Sequence, residues 1–338
     1  MKADSMIDGP ARQRIRKWEK NRDGRQTIRL TSPDHEALKN FETFCEDLAF
    51  LAPSLRIKPG EQGNPSSEER DLPGLIVRKN ITYSALPLEK ELEPFLKGLD
   101  LIHSQKPEPE SHILKALEQI QAPCDLTLYI ALQCPHCPGM VNTLLPLAVF
   151  CEKIRLTIID GSLFPEAAQK DRVMSAPCLI LEDEFRWTGA VTAEEIITMM
   201  IEKDPAKLSP ESLKNIIEEG NAQWITDKMI ETRTLFPGFI ELLLHGTWSV
   251  RLGAMVIVES LGEEHPGLAK KICPRLIREF PGREIPVQGD ILYALGQAGD
   301  KETLEWLAAT LNTLDHPDLK EACEDALADM DSRLGSWE

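Results

Sequence analysis

Apolar residues in the first 205 positions of this 338-residue chain follow two alternating spacings. Short apolar runs that predict strands are separated by longer segments in which apolar residues recur at helical spacing. The predicted strands cover 26–30, 55–58, 73–77, 126–132, 154–159, 178–182 and 184–187, and the predicted helices cover 34–52, 86–101, 111–121, 139–151, 165–169 and 192–201. This alternation of strands and helices predicts an α/β fold.

The alternating part of the chain contains an internal repeat. Residues 26–106 and 107–205 show the same order of predicted elements, so the repeat is about a hundred residues long. The clearest correspondence pairs Leu72-Pro73 with Ala176-Pro177, because apolar strand residues follow each pair. A basic leader, 1–25, precedes the repeat, and its residues 11–20 are expected to form a short basic helix. The leader is interpreted either as a solvated segment or as an electrostatic clamp onto the acidic body.

The pattern changes in residues 208–338, where the predicted strands stop and helical spacing continues. Residues 250–263 resemble residues 287–300 at an offset of about 37 positions, and a shorter copy follows near 319–329. Repeats of this length built from helix pairs resemble HEAT-type solenoids, in which neighbouring pairs must stack to bury their apolar faces. An irregular helical bundle is the alternative interpretation of the same pattern.

Composition narrows the class of protein. The net charge of −17 argues against nonspecific nucleic-acid binding, which needs a basic surface. No run of eighteen apolar residues predicts a transmembrane helix, and residues 1–8 lack the apolar core of a signal peptide, so we expect a cytoplasmic protein without a membrane partner. In that compartment the eight cysteines are mostly thiols, and those within helical patterns are expected to be packing groups.

The candidate chemistry lies in Cys134-Pro135-His136-Cys137, where a predicted strand runs into a predicted helix. A helix N-terminus favours a thiolate through its unpaired N–H groups and its dipole, so Cys134 is the expected attacking thiol and Cys137 the resolving thiol. Pro135 stiffens the turn. His136 is interpreted either as a donor or positive charge beside the Cys134 thiolate, or as a surface imidazole without influence.

A second segment, Ser175-Ala176-Pro177-Cys178, follows about forty residues later. We expect a cis Pro177 lying against the cysteines, which leaves the Ala176 backbone open to an extended substrate segment. Cys178 is interpreted as a small core residue, as a third redox thiol or as a metal ligand. No second C-x-x-C or histidine pair has zinc spacing, so no metal site is predicted.

These motifs together resemble the N-terminal domain of the F subunit of alkyl hydroperoxide reductase, and the layout is also similar to archaeal protein disulfide oxidoreductases. The resemblance covers 26–205 and rests on four stretches: 134–138, 159–161, 172–177 and 192–197. It implies two tandem thioredoxin folds followed by the all-α, HEAT-like region. Only the second fold, 107–205, carries C-x-x-C, because the first, 26–106, has Thr31-Ser-Pro-Asp34 at that place.

The resemblance implies a thiol–disulfide oxidoreductase that passes electrons from a thioredoxin-reductase-like donor to a disulfide-containing protein acceptor such as a peroxiredoxin. The helical repeats would dock the partner. No G-x-G-x-x-G follows a strand, so we expect no cofactor besides the redox-active disulfide. Strand 126–132 contains no carboxylate, so thioredoxin's buried acid has no counterpart there. The alternative function is a protein-binding module whose thioredoxin-like part is structural or redox-sensing.

Overall fold

The computed structural model describes residues 5–60 and 72–334. The chain divides into two compact units, Met1–Glu202 and Lys203–Glu338. The first four residues of the predicted leader lie outside the described residues. The first unit is a mixed α/β structure and the second is helical. That the first unit consists of two separate thioredoxin folds remains a prediction.

One mixed sheet of eight strands forms the centre of the first unit. Its strands are β1 Gln26–Thr31, β2 Leu55–Pro59, β3 Gly74–Arg78, β4 Ile81–Ser84, β5 Cys124–Ile130, β6 Ile154–Asp160, β7 Cys178–Leu181 and β8 Phe185–Thr188. Their spatial order is β2-β1-β3-β4-β6-β5-β7-β8. The parallel pairing of β4 with β6 joins the two halves of the sheet. Strands β5 and β7 are almost entirely buried because apolar side chains occupy both of their faces, whereas β2 has only one buried residue.

Seven helices accompany these strands in the described residues: α1 Gly9–Glu19, α2 Leu38–Leu51, α3 Leu92–Ser104, α4 Ser111–Leu117, α5 Cys137–Phe150, α6 Pro165–Lys170 and α7 Ala193–Glu202. We call β1–β4 with α1–α3 the first half, and β5–β8 with α4–α7 the second half. Helix α3 begins six residues later than predicted, because a hydrogen-bonded turn from Leu88 to Glu91 precedes it. That late start places Glu91 at the helix entrance.

Within the predicted basic leader, residues Gly9–Glu19 form helix α1, which packs against α2 and α3, so the interpretation of this part as a solvated segment is wrong. Asp8 caps α1 by accepting a hydrogen bond from the Ala11 N–H at 2.7 Å. Ile15 is fully buried, and the Trp18 indole donates to Asp100 at 2.9 Å. The sequence did not predict that this helix is packed, because only a few apolar residues face inward and the basic residues lie on the exposed side.

The second unit contains no strand among its described residues. Its helices are α8 Pro210–Glu218, α9 Ala222–Thr232, α10 Phe239–Leu243, α11 Trp248–Glu264, α12 Pro266–Ala269, α13 Cys273–Glu279, α14 Ile285–Ala298, α15 Lys301–Leu311 and α16 Pro317–Leu334. Helices α11, α14 and α16 pack side by side in that order. Gly296 makes the close approach of α14 to α16 feasible, since a Cβ there would lie 3.0 Å from Ala326 Cα. The HEAT-like interpretation remains a prediction.

None of the helices in the described ranges has the length and apolarity needed to cross a lipid bilayer.

Candidate functional site

Cys134 lies in the turn that connects β5 with α5, and its thiol is partly exposed. Its backbone N–H donates to the Ala131 carbonyl at 2.9 Å, which shapes the turn. The Cys134 Sγ donates to the Ala176 carbonyl at 3.4 Å, and the His136 N–H donates to Cys134 Sγ at 3.4 Å. The turn thus holds the Cys134 sulfur between a backbone N–H and a backbone carbonyl.

Cys137 is the first residue of α5 and is fully buried. Burial raises the pKa of its thiol well above the ordinary value, and a hydrogen bond with Cys134 raises the pKa further. The two thiols therefore differ strongly. Cys134 is partly exposed to solvent, whereas Cys137 is within reach of Cys134 alone and needs a nearby group to take its proton before it can react.

The segment around Pro177 lies against the cysteines, as the contact from Cys134 Sγ to Ala176 shows. The Ala176–Pro177 peptide bond is cis. Cys178 begins β7, is buried, and is paired in the sheet with Tyr129 of β5. The Arg186 Nη1 atom lies 3.7 Å from Cys178 Sγ. Cys178 is thus part of the packed sheet, which agrees with its interpretation as a core residue.

Pro135 and His136 are both exposed at the tip of the turn. The hydrogen bond from His136 to Cys134 comes from the backbone and not from the imidazole. The position of His136 at the N-cap of α5 adds no side-chain capping bond. An influence of the imidazole on the Cys134 thiolate remains a prediction.

Glu91 is a buried carboxyl group that the sequence analysis missed. It is 1% exposed, and neither of its carboxylate oxygens has a hydrogen-bond partner within the described residues. Burial, together with the charge of Asp160, raises the pKa of Glu91 to about 7. Glu91 lies close enough to Cys137 for its charge to raise the pKa of that thiol. The first half thus supplies the buried acid that strand 126–132 lacks.

Two further buried polar side chains, Asp160 and Tyr83, lie near enough to Glu91 for their charges to interact. Asp160, at the end of β6, accepts hydrogen bonds from the N–H groups of Ser162 at 2.9 Å and Leu163 at 3.3 Å. Burial raises the pKa of Asp160, although these two bonds oppose the shift. Tyr83 of β4 is buried, and burial followed by the Glu91 charge raises the pKa of its phenol. Burial first, and then the Asp160 charge, raises the pKa of Glu91, because a proton on Glu91 removes a buried charge and the repulsion from Asp160.

The residues just before Glu91 hold the cysteine turn in place. The Lys90 ammonium donates to the Gln133 carbonyl at 2.8 Å, and the Gln133 amide donates to the Glu89 carboxylate at 3.2 Å. Because Gln133 immediately precedes Cys134, the segment 89–91 of the first half contacts the cysteine turn at several points. One feature of the sequence indicates that Glu91 is buried. Glu91 lies four residues before Phe95, so helical spacing places it on the apolar side of the predicted helix.

Met174 also lies beside the site and was not singled out in the sequence. Its side chain is 89% exposed, two positions before Ala176, whose carbonyl bonds to Cys134 Sγ. An exposed apolar side chain next to a reactive thiol is suited to contact with an apolar surface of a partner.

The turn after β1 occupies the corresponding place in the first half and carries no cysteine. Its residues Asp34 and His35 line a cavity of about 590 Å³ together with Phe164 and Pro165 of the second half. The His35 ring contacts the Phe164 ring edge-on at 5.3 Å. Within residues 5–60 and 72–334, no group of three histidine, cysteine, aspartate or glutamate side chains is arranged to hold a metal ion.

Comparison with known proteins places this site in a thioredoxin-like domain. Residues 125–202 match the thioredoxin domain family model. The chain is 21% identical to an NADH dehydrogenase from Ferdinandcohnia aciditolerans over 53% of this chain and 34% of that protein. It is 22% identical to the F subunit of alkyl hydroperoxide reductase from Staphylococcus epidermidis over 49% of this chain and 30% of the relative. The chain spans about a third of the length of these curated relatives.

A solved structure shows the same fold. The protein disulfide oxidoreductase from Aeropyrum pernix superimposes with a TM-score of 0.51 and 14% sequence identity, over 58% of this chain and 93% of the other. Identity at this level establishes the fold alone. The helical unit lacks such support, so the HEAT-like interpretation gains nothing from these comparisons.

The relatives overturn the expectation that no cofactor takes part. NADH dehydrogenase and the F subunit of alkyl hydroperoxide reductase are flavin-associated reductases, and the matches cover the thioredoxin-like part of this chain. The described residues do not fit a flavin or nicotinamide. The turn from β5 to α5 carries cysteine and proline, and no strand-to-helix turn in 5–60 or 72–334 is a glycine-rich phosphate loop. The thioredoxin-like part of the chain is therefore similar to part of these flavin-associated reductases.

Proposed function

We propose that this chain is a thiol–disulfide oxidoreductase that reduces a disulfide in a partner protein through Cys134 and Cys137. The observation that carries the proposal is the pairing of a partly exposed Cys134 with a buried Cys137 next to a buried carboxyl group. This arrangement separates an attacking thiol from a resolving thiol and supplies a group that can accept a proton.

In the first step, the Cys134 thiolate attacks one sulfur of the partner disulfide. A bond forms between Cys134 Sγ and that sulfur, and the other partner sulfur leaves as a thiolate. The Ala176 carbonyl loses its hydrogen bond from Cys134 when that thiol ionises, before the attack. Together with the adjoining backbone it can pair with an extended segment of the partner, which orients the mixed disulfide.

In the second step, Cys137 attacks Cys134 Sγ. The Cys137 proton passes to Glu91, whose pKa of about 7 lets it accept and release a proton near neutral pH. The Cys134–partner bond breaks, and the second partner thiolate leaves. Two electrons have then moved from the dithiol to the partner, and this chain holds a Cys134–Cys137 disulfide.

The disulfide must be reduced again before another cycle. Because the relatives are flavin-associated reductases, we infer that a reductase of that class supplies the two electrons. A disulfide-containing protein such as a peroxiredoxin is the proposed acceptor. The helical unit is the proposed docking element for one of these partners.

The experiment that tests the proposal uses 5,5′-dithiobis(2-nitrobenzoate) as the disulfide. The reduced wild-type protein should release two thionitrobenzoate anions and form the Cys134–Cys137 disulfide. Cys137→Ser should release one anion rapidly and retain the other on Cys134, as mass spectrometry will show. Cys178→Ala is the matched control and should behave like wild type. A Cys134→Ser variant that reacts as fast as wild type contradicts the proposal.

A further inference from the structure

Exposed apolar side chains concentrate on one face of the helical unit. Eight large apolar side chains are exposed in the described part of the chain, and five of them lie on two helices. They are Trp248, Leu252 and Val256 of α11 and Ile285 and Tyr293 of α14. Trp248 is the most exposed of the five, with 60% of its surface accessible to solvent. Clusters of this kind mark binding surfaces more often than scattered apolar residues do.

Four of the five residues occupy corresponding positions of the two helices, and Gly289 is the counterpart of Leu252. Ile285 lies 37 residues after Trp248, and Tyr293 lies 37 residues after Val256, which is the offset of the internal repeat. Spacing of four residues aligns Trp248, Leu252 and Val256 along one side of α11. Their stripe runs for about 12 Å, which is the length of about two helical turns.

The two stripes form one surface because α11 and α14 pack against each other. The Tyr293 hydroxyl donates to the Glu259 carboxylate at 2.6 Å, which ties the exposed sides of the two helices together. Gly289 lies between Ile285 and Tyr293 on α14, and a Cβ at Gly289 would meet no atom within 4 Å. The surface therefore has an open notch between the two apolar residues of α14.

Helix α16 borders this surface with negative charge. The Gln297 amide of α14 donates to the Asp329 carboxylate at 2.8 Å, which places Asp329 beside α14. Glu321 and Asp325 lie eight and four residues earlier on the same side of α16, and all three carboxylates are exposed. The Arg333 guanidinium donates to the Gly296 and Gly299 carbonyls at the end of α14, and it lies near enough to Asp329 for the two charges to interact. Glu321 and Asp325 therefore supply most of the negative charge along this edge. An apolar stripe thus has a row of carboxylates along one edge.

We propose that the face of α11, α14 and α16 binds a basic amphipathic helix of a partner protein. The apolar side of such a helix would cover Trp248, Leu252 and Tyr293, and its lysines and arginines would meet the carboxylates of α16. A second copy of this face would bring two rows of carboxylates together, so charge complementarity favours a basic partner over self-association. This binding does not depend on the thiol chemistry.

The test measures fluorescence anisotropy of a labelled 18-residue peptide of leucine and lysine with helical amphipathic spacing, added to the full chain. Binding should persist in the Cys134→Ser, Cys137→Ser double variant, which separates this proposal from the redox proposal. Leu252→Glu should weaken binding by about tenfold or more, because it places a charge in the apolar stripe. Phe50→Glu is the matched control, since Phe50 is exposed on α2 of the other unit, and it should change the dissociation constant less than twofold.

A second pair of variants tests the charged edge. Glu321→Lys combined with Asp325→Lys should weaken binding about tenfold at low salt and less at high salt, because screening shortens the reach of the charges. Glu302→Lys combined with Glu305→Lys changes the same total charge on α15 and should have a much smaller effect. Circular dichroism should confirm that each variant remains helical.

Three results overturn the proposal. Equal binding of a lysine–serine peptide without leucine shows general attraction to an acidic protein. Equal loss of binding in the α15 pair shows that the location of the charge is irrelevant. Concentration-dependent dimerisation that Leu252→Glu abolishes, seen by analytical ultracentrifugation, makes a second copy the occupant of the face.

Discussion

The two halves of the eight-stranded sheet have the same strand order but carry different side chains at corresponding turns. The turn after β5 carries Cys134 and Cys137, whereas the turn after β1 carries no thiol. The first half nevertheless contributes Glu91, which is buried near Cys137, and Lys90, which bonds to the residue before Cys134. A half without cysteines at that turn is thus part of the candidate site, because pairing of β4 with β6 brings it against the cysteine half.

The largest expected difference between the two halves lies at their thiols. Cys134→Ser should reduce the rate of disulfide reduction to the background rate, because the remaining thiol is buried. Cys45→Ala is the matched change in the first half, where burial raises the pKa of the Cys45 thiol to about 12. It should leave the rate within about twofold of wild type. Stopped-flow absorbance with the nitrobenzoate disulfide measures the reduction rate of both variants. A comparable loss of rate in the two variants would show that the two halves do not differ in their thiol chemistry.

The next effect concerns stability. The pKa of Glu91 is about 7 in the folded protein and ordinarily 4.5, so the folded state holds the proton more tightly. Stability should therefore fall as pH rises through this window, by about 3 kcal/mol in total. Glu91→Gln should lose most of this dependence, while Asp160 retains a smaller contribution of the same sign.

Urea unfolding at pH 4.5, 6 and 8 measures the effect. Glu93→Gln is the control, because Glu93 is exposed and pairs with Lys97, and the variant should keep the wild-type dependence. If the stability of the wild type does not fall between pH 4.5 and 8, Glu91 is hydrated and its pKa is not raised.

The third effect tests whether Glu91 of the first half accepts the proton in the second step. Glu91→Gln should slow the second thionitrobenzoate release by about a hundredfold while leaving the first unchanged, because only the second step needs a proton acceptor. In wild type, the second step should speed up as pH rises towards about 7 and then level off, since the carboxylate form accepts the proton. Glu89→Gln in the same segment should keep that profile. Equal slowing of both steps would mean a positional role for Glu91.

The smallest effect is expected at the exposed contact between the halves. Lys90→Ala removes the hydrogen bond to the Gln133 carbonyl, so the cysteine turn should become less ordered. Since Lys90 is exposed, the bond contributes no more than about 1 kcal/mol, and the rate of the first step should fall about two- to fivefold. Lys97→Ala, one turn into α3, is the control. A loss of more than about fiftyfold would show that the turn depends on Lys90 for its structure.

The sequence pattern located most strands and helices of the first unit to within a few residues. Apolar runs such as 126–132 and 154–159 correspond to β5 and β6, because a strand buried on both faces must be apolar throughout. The pattern failed at β4, which is only four residues long and was not predicted. At α1 the pattern indicated a short basic helix but not its packing, because its few buried apolar positions lie among many charges.

The candidate site was partly predictable for a related reason. The order of strand, C-x-x-C and helix is local, so the placement of both cysteines at the entrance of α5 follows from the pattern. Glu91 lies 46 residues before Cys137, and no local spacing connects the two. Lys90 and Met174 carry no motif at all, and only their positions relative to Cys134 connect them with the site.

By itself, the sequence determined the class of fold, the element carrying the thiols and the change to helices after residue 205, because these depend on periodicity and short-range spacing. The tertiary structure alone decided that the first half contributes the buried acid and that α11, α14 and α16 present an apolar face edged with carboxylates. Burial and raised pKa values arise when segments far apart in the chain exclude water together, so the position of a residue in the sequence does not reveal them.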